Sequence, residues 1–100
     1  MIHEIKILPK YFEDVESGRK TFEVRKNDRP YKVGDYLALN EWENNEYSGR
    51  FILAQIVYIL TDEQYVKSGY CILGIIPRNI ELELAERCNV YDREDCINDF

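Results

Sequence analysis

Gly18-Arg19-Lys20-Thr21-Phe22-Glu23-Val24-Arg25 packs a glycine, three cations and one carboxylate into eight residues. The stretch reads as a boundary between two elements. Upstream, Pro9 opens a helix, because the N–H that proline lacks has no partner in the first turn anyway. Phe12 and Val15, with Tyr11 as a candidate third member, supply an i, i+3 buried stripe, and Glu13, Asp14 and Glu16 form the wet face. Gly18 then stops the helix, as the residue best suited to a left-handed C-cap. Downstream, residues 20–25 alternate as a strand. Phe22 and Val24 are expected on the core side. Thr21, Glu23 and Arg25 are expected together on the opposite, exposed or cleft-lining side.

Working outward, residues 2–8 form a first strand with Ile5 and Ile7 on one face and Glu4 and Lys6 on the other. Asn27-Asp28-Arg29-Pro30 is a turn-rich loop, and Val33-Gly34-Asp35 is a second turn. A third strand covers Tyr36 to Trp42, with Leu37 and Leu39 on the same side. Asn44-Asn45-Glu46 marks a hairpin tip, and Phe51 to Leu60 is a long apolar strand expected at the centre of the sheet. Residues 61–69 are a loop or one helical turn, with Thr61-Asp62-Glu63-Gln64 as a possible capping box. Tyr70 to Ile76 is the last core strand, stopped by Pro77. The order of strand, helix and four further strands predicts an α+β, mostly β fold: a small mixed or antiparallel β-barrel with one or two short helices, a helix at one opening. Residues 1–76 form the domain. Residues 77–100 form an acidic C-terminal extension, partly helical or frayed.

The totals restrict the function. One hundred residues, 45% apolar and 32% charged, fit one soluble globular domain. Eight tyrosines favour strands and leave rings for stacking. The net charge of −6 argues against loose nucleic-acid binding over the whole surface. Yet Arg19 to Lys32 holds six Lys or Arg against Glu23 and Asp28, a local +4. Much of the negative charge lies late: residues 77–100 carry 3 basic and 7 acidic residues, whereas residues 1–76 carry 10 and 12. No run reaches the ~18 apolar residues of a membrane span, and Met1 to Lys6 has no signal-peptide hydrophobic region. The expected location is the cytoplasm. Cys71, Cys88 and Cys96 read as reduced thiols, Cys71 in the core. With His3 the only histidine, no metal site and no cofactor is expected.

The eight-residue stretch fits the G-x-K-x-x-E-x-R signature of the ASCH domains, in the PUA-like superfamily. The wider wording resembles their small bacterial and phage subfamily of unknown function: His3 to Pro9, Tyr11-Phe12, Gly18 to Arg29, Val33-Gly34-Asp35, Gly49-Arg50, Tyr58 to Leu60 and Gly69 to Leu73. The likeness covers about residues 2–76. It implies a PUA-like β-barrel with Lys20, Glu23 and Arg25 lining a cleft beside the helix, and a role in binding RNA or a nucleotide-like ligand. Some single-domain ASCH proteins are instead amidohydrolases acting on acylated cytidine. They carry a threonine nucleophile three positions after the lysine, where this chain has Glu23.

The residues themselves support a binding site over a catalytic one. Arg25 offers a planar fork for a phosphate or base edge. Lys20 adds a compact cation. Glu23 can orient both or accept from an exocyclic amine. The competing reading is cross-strand salt bridging on a solvated face, worth roughly 0–1 kcal/mol. Lys26, Arg29 and Lys32 with Tyr31 form a phosphate-contacting loop with a stacking ring, or else a solvated loop. The expected partner is RNA or a nucleotide-like small molecule. Two alternatives stand: an amidohydrolase using Lys20 and Glu23, and a protein-interaction domain working through the acidic tail. Tyr65, Lys67 and Tyr70 read as an ordinary loop in preference to a lid, Trp42 as core or edge packing, and His3 as a structural or surface residue with no visible partner.

Overall fold

The structure, a computed structural model, describes residues 1–78. Its elements are β1 (Ile2–Ile7), α1 (Pro9–Glu16), β2 (Phe22–Lys26), β3 (Tyr36–Glu43), β4 (Glu46–Leu60) and β5 (Tyr70–Pro77). The expected partly helical extension, with Cys88 and Cys96, lies outside the described residues from residue 79 on.

The five strands form one sheet in the order β1-β3-β4-β5-β2. β4 is central, as its length and apolar content require. Pairing is antiparallel except between β1 and β3, which run parallel with Ile2 opposite Tyr36 and Ile7 opposite Glu41. The sheet is therefore mixed. It curls into a half-barrel whose edge strands, β1 and β2, approach each other at the open side. There the guanidinium of Arg25 donates to the Lys6 carbonyl at 3.1 Å, so a side chain spans a gap that no ladder closes.

The concave side holds the main core. Ile5, Ile7, Leu37, Leu39, Ala54, Ile56, Cys71 and Leu73 pack there with Phe12 and Val15 from the buried stripe of α1. Each fully buried Leu, Ile or Phe side chain contributes roughly 1.5–3 kcal/mol. Ile2, Tyr36, Ala38 and Leu53 form a second cluster on the convex side, so β3 is buried on both faces. Burial also pushes the Cys71 thiol above its ordinary value. Among the described residues no helix is long and apolar enough to cross a membrane.

Local chemistry sets the joints. The N–H groups of Tyr11 and Phe12 both donate to the Leu8 carbonyl at 3.0 Å, starting α1 behind Pro9. Gly18 ends it at φ +82°. Asn44 and Asn45, at φ 54° and 65°, make the β3–β4 turn, since asparagine tolerates the left-handed region that two-residue hairpins need. The β3–β4 register shifts between Asn40 and Trp42, and Gly49 at φ +93° lies on the β4 side of that slip. In the 61–69 loop the capping box does not form. Asp62 caps the turn instead, its side chain accepting from the Gln64 N–H at 2.9 Å.

One expectation is reversed. Phe22 and Val24 are not in the core; they are 45% and 53% exposed, while Glu23 between them is 5% exposed. The alternation is real but its faces are exchanged. β2 is an edge strand, and its concave side meets Lys20 and Arg25. A carboxylate with two cationic partners is buried there more readily than a lone one, which turns the apolar pair outward.

Candidate functional site

The C-cap of α1 sets the position of Lys20. Its backbone N–H donates to the Asp14 carbonyl at 2.9 Å, which turns the chain straight from the helix into β2. Its Nζ pairs with Glu23 Oε2 and donates to the Phe22 carbonyl at 2.7 Å. The same ammonium lies 5.2 Å from the Tyr11 ring centre and 5.0 Å from that of Phe22. Both are cation–π distances.

Glu23 stands opposite Leu73 in the β2–β5 ladder, and Arg25, two residues on and on the same face, stands opposite Cys71. Arg25 Nη1 is 3.9 Å from Glu23 Oε1. Lys20, Glu23 and Arg25 thus converge, two cations sharing one carboxylate. They line a cavity of about 460 Å³ in the open side of the half-barrel. Its opposite wall is the end of β1 and the start of α1, from Lys6 to Leu8 and Tyr11. Arg19 is directed away, its guanidinium 2.8 Å from Asp14 on the helix surface.

The loop cations divide. Arg29 lines a neighbouring recess of about 370 Å³ that shares Lys6 and Arg25 with the main cavity. Lys26 and Lys32 are exposed and line neither space. The Lys32 backbone N–H donates to Asp35 Oδ2 at 3.1 Å, so that residue shapes the turn. Tyr31 is half-buried against the concave core, edge-on to His3 with ring centres 4.8 Å apart. Burial pushes its phenol up, against the pull of Arg25 and Arg29. It is packed, and does not present an open stacking ring.

Two further charge clusters complete the concave side. His3, which showed no partner in the sequence, is buried with its Nε2 2.9 Å from Asp35 Oδ2. The terminal ammonium of Met1 lies 3.2 Å from the other carboxylate oxygen. Burial pushes the Asp35 carboxyl up, but the bonds from His3 and the ammonium outweigh it and hold it below its ordinary value. On the far side of α1, Arg50 makes a two-pronged bond to buried Glu41, Nε to Oε1 at 3.0 Å and Nη2 to Oε2 at 2.6 Å. Arg50 also lies 3.5 Å from Glu13 and 4.2 Å over the Phe12 ring.

Lys6 and Tyr11 are the site residues that the sequence did not mark. The signal was faint: Lys6 sits on the polar face of the first strand, and Tyr11 precedes a core phenylalanine. Their place at the cavity follows from the parallel β1–β3 pairing and the curl of the sheet, both of them long-range.

Comparison with known proteins agrees on the fold and gives no activity. A solved structure described as "Crystal structure of hypothetical protein PH0355" aligns with a TM-score of 0.56 and 17% identity, over 78% of this chain and 100% of that one. The "Uncharacterized 12.9 kDa protein in GpA 3'region" of Escherichia phage P2 is 39% identical over 88 residues, covering 84% of this chain and 81% of that protein. The family model described as "Domain of unknown function (DUF3850)" matches residues 2–75, and the chain belongs to that family.

Proposed function

We propose that the chain is an RNA- or nucleotide-binding module of the PUA-like type suggested by its Gly18–Arg25 signature, with its ligand held in the cavity between β1 and β2. The observation that carries this reading is the convergence of Lys20, Glu23 and Arg25 on one hollow with an aromatic border. A volume of about 460 Å³ falls in the size range of small-molecule sites and suits a single nucleotide. Arg25 has five N–H donors and keeps several for a phosphate or base edge after meeting Lys6 and Glu23. Lys20 supplies a second cation. Glu23 orients both and offers its acceptors to an exocyclic amine. Tyr11 provides a flat border. Arg29, in the adjoining recess, is placed for a flanking phosphate.

The test is filter binding with single-stranded and structured RNA at about 50 mM salt, a low ionic strength at which phosphate contacts are strong. Association is expected, with affinity falling on a log–log plot as salt rises. It should weaken in Lys20→Ala and in Arg25→Ala. No association with any RNA removes the macromolecular form of the proposal. No association with ribonucleotides either removes it altogether.

A further inference from the structure

Glu23 and Arg25 face the cavity, and Phe22 and Val24 border it from the outer face of β2. There they are also exposed to solvent, and the register carries this apolar surface across three strands. Phe22 lies opposite Gly74 of β5, and Gly74 opposite Tyr58 of β4. Val24 lies opposite Ile72, and Ile72 opposite Leu60. Tyr58 is 64% exposed. Gly74 contributes no side chain, so Phe22 and Tyr58 flank a strip of bare backbone about 10 Å across, twice the spacing between strands. The strip is snug on the Tyr58 side, where a Cβ on Gly74 would lie 3.3 Å from the Tyr58 Cβ.

Cations bracket the apolar rows. At one end Lys20 lies over the Phe22 ring. At the other, the next rung pairs Lys26 with Tyr70, and Lys67 Nζ lies 5.3 Å over the Tyr70 ring. In the adjoining 61–69 loop, Asp62 and Glu63 bond within the loop, accepting from the Gln64 N–H and the Ser68 hydroxyl. Exposed rings on a sheet with lysines at the margins match bases that stack while their phosphates meet cations. Self-pairing of two copies about a two-fold axis would instead set lysines against lysines.

We propose that the outer face of β2, β5 and β4 is a stacking platform for single-stranded RNA, continuous at Phe22 with the cavity. This rests on the nucleic-acid reading of that cavity and extends it from one nucleotide to a run of several. The experiment compares an eight-nucleotide RNA with ribonucleoside monophosphates, using the full chain, Tyr58→Ala and Lys20→Ala. Tyr58 is exposed and outside the cavity, so its loss leaves the fold intact. Tyr58→Ala is expected to weaken the oligonucleotide about 5- to 100-fold, the loss of one stacked base, and to leave the monophosphates unchanged. Unchanged oligonucleotide affinity in Tyr58→Ala overturns the platform, and the cavity reading then stands or falls on Lys20→Ala. Sedimentation that shows a dimer dissociating in Tyr58→Ala also overturns it, by making this face a contact between copies.

Discussion

Helix α1 has a charge cluster on each side, and the two are built with opposite balance. At Arg50, one cation meets two carboxylates, Glu41 and Glu13, and the bond to Glu41 uses both prongs of the guanidinium. At Lys20, Glu23 and Arg25, one carboxylate serves two cations, and Arg25 reaches Glu23 only at 3.9 Å. The first covers a core phenylalanine and borders only a smaller, acid-lined recess of about 230 Å³. The second carries a surplus positive charge and opens on a hollow. The same residue types therefore make a clasp in one place and the lining of an open cavity in the other. The difference lies in stoichiometry and in what lies beyond the cluster.

Removing the element between them is the harshest test. Phe12 is fully buried, so Phe12→Ala should cost about 3–5 kcal/mol, enough to disturb both clusters together in denaturant unfolding. A loss below about 1 kcal/mol would show that α1 does not anchor them.

Glu23→Gln is next. Lys20 and Arg25 would face each other without a counter-charge in a partly buried place, at a cost of roughly 2–4 kcal/mol. Glu41→Gln should cost less, because Arg50 keeps Glu13 and is half-exposed. The reverse order in thermal unfolding would break the contrast between clasp and site.

Acid should loosen the Arg50 cluster. The Arg50 guanidinium, helped by Ser48, holds the Glu41 carboxyl below its ordinary value against the opposing effect of burial. A carboxyl depressed in the folded state stabilises above its unfolded pKa, about 4.3 for glutamate, and that contribution drains away as pH falls through the folded value. Stability should therefore decline below about pH 4, and the decline should be shallower in Glu41→Gln. An unchanged profile would mean that Glu41 does not take part in it.

The smallest effect belongs to the hairpin. Asn45→Ala removes the short polar side chain that lets this position tolerate a left-handed φ and should cost about 1 kcal/mol. It loosens the β3–β4 register that seats Arg50 on Glu41. Ligand binding at Lys20 should not change, and a matching loss of binding would show the two clusters to be coupled.

The elements of the fold were largely legible in the sequence because their signals are local. Pro9 and Gly18 bracket α1, the asparagine pair marks the hairpin, and Pro77 ends β5. The sequence does not tell which face of β2 is inward. Alternation sets the period but not the sign, and the sign is decided by Lys20 and Arg25 meeting Glu23 against a distant strand. The same holds for His3, whose partner Asp35 is 32 residues away. It holds also for Tyr31, which the core takes up before it can serve as an open ring. Of the residues marked in advance, Lys20, Glu23 and Arg25 line one cavity and Arg29 its neighbour, while Lys26 and Lys32 remain on the open surface.

Nucleotide binding in the cavity at Lys20, Glu23 and Arg25, as proposed, would perturb its lining residues first. Amide chemical-shift mapping with each ribonucleoside monophosphate, and then with a short RNA, tests it most directly. Shifts are expected to centre on residues 6–11 and 20–25 and to vanish in the Lys20→Ala, Arg25→Ala double variant. Shifts centred on Glu41 and Arg50, or no shifts with any of these ligands, would contradict it.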